Sequence, residues 1–309
     1  MLEPIPGTEN IEIKEAFRQR YEKITDWDEF IKHCLSFPRR AIRVNTLKIT
    51  VSALKRRLEG WTLTQIPWCK EGFWVEHKDG RRDIGNTIEH ALGYIYVQES
   101  VSMIPPLVLG PRPGDKILDM CAAPGSKSTQ IAQYMGNQGL LISNDYKGDR
   151  LKSLGINLAR CGVSNVITTL MAGQSFRGME FDRILIDAPC SGTGTIRKSL
   201  KTFRIWNPGM VRRLASTQKK LLETGYSLLK KGGTLVYSTC SLEPEEDEGV
   251  VDHLLKSKGA VLEPIRIRMK RSPVVSEFEG IRYTGIDNCL RIWPQDNNTN
   301  GFFVAKIRK

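Results

Sequence analysis

From residue 116 onward the chain alternates short apolar runs with amphipathic stretches, and this alternation constrains the fold more than any other feature. Residues 116–120, 140–144, 166–170, 181–187 and 233–238 predict strands, while 126–135, 149–160, 208–229 and 245–255 predict helices, the last opening on acids that suit its dipole. Such alternation builds an α/β domain around a mostly parallel sheet, and a late pair of strands at 289–293 and 301–307 is able to run antiparallel. Residues 1–100 read differently. A helical opening leads to a strand at 41–47, then a basic helix with Val51, Leu54 and Leu58 on one face, then short aromatic pieces around Trp61, Trp68, Phe73 and Trp74. A small α+β module over residues 1–100, followed by the α/β domain over 101–309, is therefore expected.

Ligand sites of parallel sheets gather at the carboxyl ends of the strands. Three such ends carry unusual chemistry. The first is the turn Asp119-Met120-Cys121-Ala122-Ala123-Pro124-Gly125-Ser126-Lys127-Ser128, whose small residues let a ligand approach the backbone while the following helix offers free N–H groups. Its spacing is neither G-x-G-x-x-G nor a phosphate loop. Asp145 ends the next strand, 20 residues after Gly125, where an acid can accept two ribose hydroxyls. Turn plus acid reads as a nucleoside-cofactor site, and S-adenosylmethionine suits it better than a dinucleotide because the third glycine is absent.

The other two ends each present a cysteine, in Asp187-Ala188-Pro189-Cys190-Ser191-Gly192 and in Ser238-Thr239-Cys240-Ser241, 50 residues apart. Both follow apolar runs, so the two thiols are expected to face one crevice. Carbon 5 of cytosine does not take a methyl group unaided; a thiolate adding to carbon 6 makes it nucleophilic, by covalent catalysis. A second group must then help remove the carbon 5 proton and release the thiolate. Methyltransferases acting on amino groups need no thiol and usually show Asp/Asn-Pro-Pro-aromatic where this chain has Asp-Ala-Pro-Cys.

The chain carries 46 basic and 34 acidic side chains, a net charge of +12, which points to a polyanionic partner. Two stretches hold eight basic groups each and no acid, residues 31–58 and residues 188–222. Phosphate contacts are expected from Arg39, Arg40, Arg43, Asn45 and Lys48 in the first, and from Arg197, Lys198, Lys201 and Arg204 in the second. Trp206 suits stacking on an unpaired base or packing equally well. Seven cysteines without a Cys-x-x-Cys pair, and four scattered histidines, indicate free thiols in a reducing, cytoplasmic setting and no structural zinc site. Cys34, Cys69, Cys161 and Cys289 read as core residues. The opening residues do not look like a secretory leader, and no uncharged apolar run approaches the roughly 18 residues of a membrane span.

The segments Arg43-Val44-Asn45-Thr46-Leu47-Lys48, Gln98-Glu99-Ser100, 119–127, 187–194, 238–246 and Gly301-Phe302-Phe303-Val304 together resemble the Nop/Sun-type RNA cytosine-C5 methyltransferases, over roughly residues 39–309. The resemblance implies a Rossmann-like class I S-adenosylmethionine-dependent methyltransferase domain behind an RNA-recognition-like module. Pro67-Trp68-Cys69 with Glu71-Gly72-Phe73-Trp74 looks most like the bacterial small-subunit rRNA branch. By position, Cys240 matches the nucleophile and Cys190 the cysteine that assists release. Cys121, Ala122, Ala123, Pro124, Gly125, Ser126 and Lys127, with Asp145, Arg150 and Asp187, match the cofactor site, and Lys127 and Asp187 also match residues that approach the target base. The implied partner is tRNA or rRNA, and a monomer is expected. The chain departs from the family at Leu170-Met171-Ala172-Gly173-Gln174, which lacks the usual acid after the third strand, so Gln174 or backbone is expected to hold the adenine. The alternative is a non-catalytic RNA-binding scaffold that keeps the fold, which the two intact cysteines oppose; a DNA cytosine methyltransferase would carry Glu-Asn-Val, absent here.

Overall fold

A computed structural model describes residues 2–309. Four strands, β1 (Ala41–Val44), β2 (Trp61–Gln65), β3 (Gly72–His77) and β4 (Ile95–Val97), form an antiparallel sheet in the order β2-β3-β1-β4. The central strand β1 is buried at every position, because both faces are covered. Side chains alternate between faces along a strand. Ile42 and Val44 thus enter a core with Leu54, Phe73, Ile84 and Ile95, while Ala41 packs on the other side with Ile66, Trp74 and Met103. The strand expected over 41–47 ends at Val44, where the Asn45 side chain turns the backbone by accepting from Leu47 N–H.

The second sheet contains β5 (Lys116–Asp119), β6 (Leu140–Asp145), β7 (Val166–Leu170), β8 (Phe181–Asp187), β9 (Leu229–Thr239) and β10 (Val261–Glu263). A small hairpin, β11 (Glu277–Phe278) with β12 (Ile281–Arg282), precedes β13 (Leu290–Ile292) and β14 (Phe302–Arg308). The sheet order is β10-β14-β9-β8-β5-β6-β7, with β13 antiparallel on β14. β5 pairs in parallel with both β6 and β8, and β6 with β7. The chain therefore leaves β5 outward to β6 and β7, then returns to β8 on the opposite side, which makes the carboxyl ends of β5 and β8 a topological switch point. The helices Ser126–Met135 and Gly148–Cys161 follow β5 and β6 as the alternation predicts.

Packing groups the chain into two compact units, one of residues 2–39, 188–222 and 238–305, the other of 40–187, 223–237 and 306–309. This grouping differs from a division at residue 100. The reason is aromatic burial: Phe17, Tyr21 and Phe30, from the helices Glu15–Tyr21 and Trp27–Cys34, share one core with Phe203, Trp206 and Trp293. Among the described residues, no helix is long and apolar enough to cross a membrane.

Candidate active site

Cys190 lies three residues past β8 and Cys240 directly past β9, and those strands are neighbours in the sheet. Sheet order thus closes a 50-residue gap in sequence and sets the two Sγ atoms 3.3 Å apart. That distance is a thiol–thiol hydrogen bond, far longer than the roughly 2.05 Å of a disulfide, and none of the seven cysteines is in a disulfide. Both thiols are partly exposed, whereas Cys34, Cys69, Cys161 and Cys289 are buried. The Cys190 thiol is held well above the usual range, first by its hydrogen bond to Cys240 and then by burial. Either thiol is able to donate in this bond.

The two cysteine loops are stitched together around this pair. Ala188 N–H donates to Ser238 O at 2.9 Å and Gly194 N–H to Cys240 O at 2.9 Å. Leu242 N–H donates to Thr193 Oγ1 at 2.9 Å, and Ser191 Oγ lies 3.0 Å from Ser241 Oγ. Gly194 must be glycine here: a Cβ would stand 2.3 Å from Gly301 O and 2.8 Å from Cys240 O.

In the other unit, the turn after β5 is held by Ala122 N–H on Asn144 O at 2.7 Å and by Arg150 on Ala123 O at 2.5 Å. Gly125 adopts φ +104°, a conformation natural only to glycine, and a Cβ there would meet Leu154 at 2.9 Å. Asp145 is buried; its carboxylate accepts from Ala123 N–H at 3.3 Å and Lys147 N–H at 3.1 Å and pairs with Arg150 at 3.3 Å. Lys127 Nζ donates to Asp187 Oδ2 at 2.6 Å and to Ser102 Oγ at 3.1 Å. The sequence-assigned turn, Asp145, Arg150, Lys127 and Asp187 thus assemble within this unit. Asp119 was missed. Its Oδ2 accepts from Ser128 Oγ at 2.6 Å, while its buried Oδ1 has no hydrogen-bond partner. Burial, opposed by the Ser128 hydrogen bond and reinforced by Asp187, pushes its carboxyl up to about 7.

Four residues expected on phosphates, Arg43, Asn45, Lys48 and Arg197, instead hold protein groups, and those assignments are corrected. Arg43 is fully buried and donates to Gln98 Oε1 at 2.9 Å, Thr129 Oγ1 at 2.8 Å, Gln133 Oε1 and Ser126 O. Asn45, also buried, donates to Gly93 O and Cys161 O at 2.8 Å each. Arg197 is 3% exposed and holds Ser36 O, Phe37 O, Thr299 O and Asn298 Oδ1. Lys48 is exposed, yet its ammonium caps Leu92 O at 3.0 Å and Arg160 O at 2.8 Å. Arg40, Lys198, Lys201 and Arg204 are exposed and Arg39 is half-buried. Trp206 packs rather than stacks on a base: it is 1% exposed and donates to Glu243 Oε1 at 2.8 Å.

Residues 106–308 match the profile of the 16S rRNA methyltransferase RsmB/F family, and residues 13–100 that of the N-terminal domain of 16S rRNA methyltransferase RsmF. The chain belongs to the RsmB/F methyltransferase family. It is 46% identical to a tRNA (cytosine(49)-C(5))-methyltransferase of Pyrococcus abyssi over 96% of each chain. A ribosomal RNA small subunit methyltransferase F of Vibrio vulnificus is 41% identical over 97% of this chain but only 65% of that one. Among solved structures, a methyltransferase homolog protein from Pyrococcus horikoshii shares 38% identity at a TM-score of 0.86, covering 96% of this chain and 95% of that one. NSun6 from the same organism, solved with the S-adenosylmethionine analogue SFG, gives 25% identity and a TM-score of 0.85, covering 96% and 98%.

The cofactor of this RsmB/F chain is S-adenosylmethionine. The unit carrying the turn fits it. Asp119, Asp187 and Asp145 all act on the Cys121 thiol, which burial together with these three carboxylates drives far upward. Lys127 pairs with Asp187 and Arg150 with Asp145, so the turn presents carboxylates suited to a ligand bearing a sulfonium and an ammonium. Gln174 is exposed in a short turn of 3₁₀-helix after β7.

The other residues missed by sequence reasoning are the acids after Cys240. The expected helix over 245–255 begins only at Glu248, and Glu243, Glu246, Asp247 and Glu248 are all 0% exposed. Glu243 accepts from Tyr21 Oη at 2.8 Å and Arg20 Nε at 2.7 Å, and Asp247 and Glu248 share the buried Arg291. A buried carboxylate costs several kcal/mol unless paired, so these acids are tertiary anchors rather than dipole complements. The signal was present, since no other stretch of the chain packs carboxylates so densely, but their cations lie far away in sequence.

Proposed function

We propose that this protein methylates carbon 5 of a cytosine in structured RNA, with Cys240 as the nucleophile, and that the RNA is tRNA. The observation carrying the chemistry is the 3.3 Å thiol pair, in which the Cys190 thiol is held above its usual range. Cys240 Sγ bonds to carbon 6, which turns carbon 5 into a nucleophile. S-adenosylmethionine, when bound, supplies an electrophilic methyl. After carbon 5 has been methylated, a base takes its proton, the carbon 6–sulfur bond breaks, and Cys240 leaves as thiolate while the ring's double bond re-forms.

Cys190 suits the release step for a specific reason. The largest influence raising its thiol is the hydrogen bond to Cys240. Once Cys240 Sγ is bonded to carbon 6 that influence is gone, so Cys190 gives up its own proton to solvent more readily, and the resulting thiolate is able to accept the carbon 5 proton. Asp187 would bind the amino edge of the base and Lys127, ion-paired to it, would hold that carboxylate in place. Asp145 would take the ribose hydroxyls of the cofactor. Arg39, Arg40, Lys198, Lys201 and Arg204 would contact phosphates.

The higher identity to the Pyrococcus abyssi tRNA enzyme, 46% against 41% for the Vibrio rRNA enzyme, favours tRNA. The match of residues 13–100 to an rRNA-enzyme domain keeps rRNA as the second reading. Incubation with labelled S-adenosylmethionine and separate tRNA and rRNA pools, followed by nucleoside digestion, is expected to place label in 5-methylcytidine from tRNA. Cys240→Ala is expected to abolish both turnover and covalent capture of RNA, and Cys190→Ala to accumulate the covalent complex. Near-normal turnover by Cys240→Ala would refute the mechanism, and label confined to rRNA would refute the substrate.

A further inference from the structure

The Cys190 loop is anchored by a carboxylate that the cysteine chemistry leaves unused. Glu246 is fully buried, six residues past Cys240. Ser191 N–H donates to its Oε1 at 3.2 Å and its Oε2 at 3.0 Å, and Ser191 Oγ donates to Oε2 at 2.9 Å. One acid thus holds the backbone and side chain of the residue next to Cys190 while standing on the segment that follows Cys240. We propose that Glu246 is a positioning residue, which clamps the Cys190 loop through Ser191 and thereby fixes Cys190, rather than Cys240, as the thiol that keeps the proton.

The electrostatics agree with the geometry. Glu246 is among the groups raising the Cys190 thiol, so a negative charge behind Cys190 disfavours a thiolate there and leaves the thiolate to Cys240. Glu246 itself is pushed up to about 7 by burial, opposed by its bonds from Ser241 and Ser191. The groups facing it include Cys190, Glu243 and Asp247; of these, Glu243 is paired with Arg20 and Asp247 with Arg291. The charge on Glu246 therefore changes near neutral pH, and the proton preference of the thiol pair should change with it.

The inference rests on the cysteine roles proposed above, but its test reads the thiols directly and needs neither RNA nor turnover. The full-length protein and Glu246→Gln would be alkylated with iodoacetamide between about pH 6 and 10, with modification of each cysteine followed by peptide mass spectrometry. In the unmodified sequence Cys240 is expected to react well ahead of Cys190. In Glu246→Gln, which keeps the side chain's shape and one acceptor oxygen but removes the charge, that preference is expected to fall about tenfold, because the negative charge that disfavours a Cys190 thiolate is gone. Ser191→Ala, which removes one donor and leaves the backbone clamp, should move in the same direction by less, and decides the matter if Glu246→Gln does not fold. Superimposable cysteine-by-cysteine pH profiles in the folded variants would overturn the proposal. The alkylation change together with near-normal turnover by Cys240→Ala would instead fault the assigned cysteine roles and leave the clamp standing.

Discussion

Replacing Arg43 with methionine separates two opposite readings of one residue. The side chain lies in a basic stretch that looks made for phosphates, yet it is fully buried and binds Gln98, Thr129, Gln133 and Ser126 O. Three of those partners belong to the helix Ser126–Met135 that follows the cofactor turn, so Arg43 ties β1 to that helix. Methionine fills most of the volume and supplies no donor. Three side-chain acceptors then lose their donor in a dry interior, at about 1–3 kcal/mol each. Part of that returns because the buried guanidinium is itself disfavoured by desolvation, which lowers its pKa. A net loss of about 3 kcal/mol is expected, or roughly 6 °C in Tm at about 2 °C per kcal/mol for a chain of this size. The assay pairs thermal melting with RNA affinity measured across a salt series. A phosphate contact would leave Tm unchanged and reduce the slope of log K against log salt by about 0.7–0.9. That pair of results would refute the structural assignment; a lower Tm with an unchanged slope supports it.

Two further predictions follow from the geometry. Asp119 is raised from an ordinary carboxyl to about 7 in the folded state, so the folded protein binds the extra proton between roughly pH 4 and 7 and its stability falls as pH rises through that window; Asp119→Asn is expected to remove this slope and to stabilise the cofactor-free protein at pH 8 by up to about 4 kcal/mol, since each pH unit between the folded and unfolded pKa corresponds to about 1.4 kcal/mol, and urea unfolding at pH 5 and pH 8 that shows no difference between the two proteins would contradict it. Gly194→Ala would force a Cβ to 2.3 Å from Gly301 O, displacing the Cys190 loop from Cys240; a loss of about 1–3 kcal/mol by overpacking and a loss of the covalent RNA complex are expected, and an alanine variant with full stability and full adduct would show that the approach is not needed.

Much of this protein follows from local rules, and those parts are legible without a structure. The strands at Val166–Leu170 and Phe181–Asp187 and the helix Ser126–Met135 have the expected bounds because periodicity and turn residues act over a few positions. The turn after β5 and the two Pro-Cys and Thr-Cys motifs are equally local signals, and they disclosed the family. Tertiary structure decided which charges face water. Arg43, Asn45 and Arg197 look like phosphate ligands because their sequence neighbours are basic, but β1 is a covered central strand and Arg197 is enclosed by segments from both ends of the chain. The acids after Cys240 were likewise ambiguous until Arg20, some 220 residues away, and Arg291 were found beside them. Burial and ion pairing depend on elements distant in sequence, so a residue's type and its neighbours indicate what it is able to do, while its partners in space determine what it does.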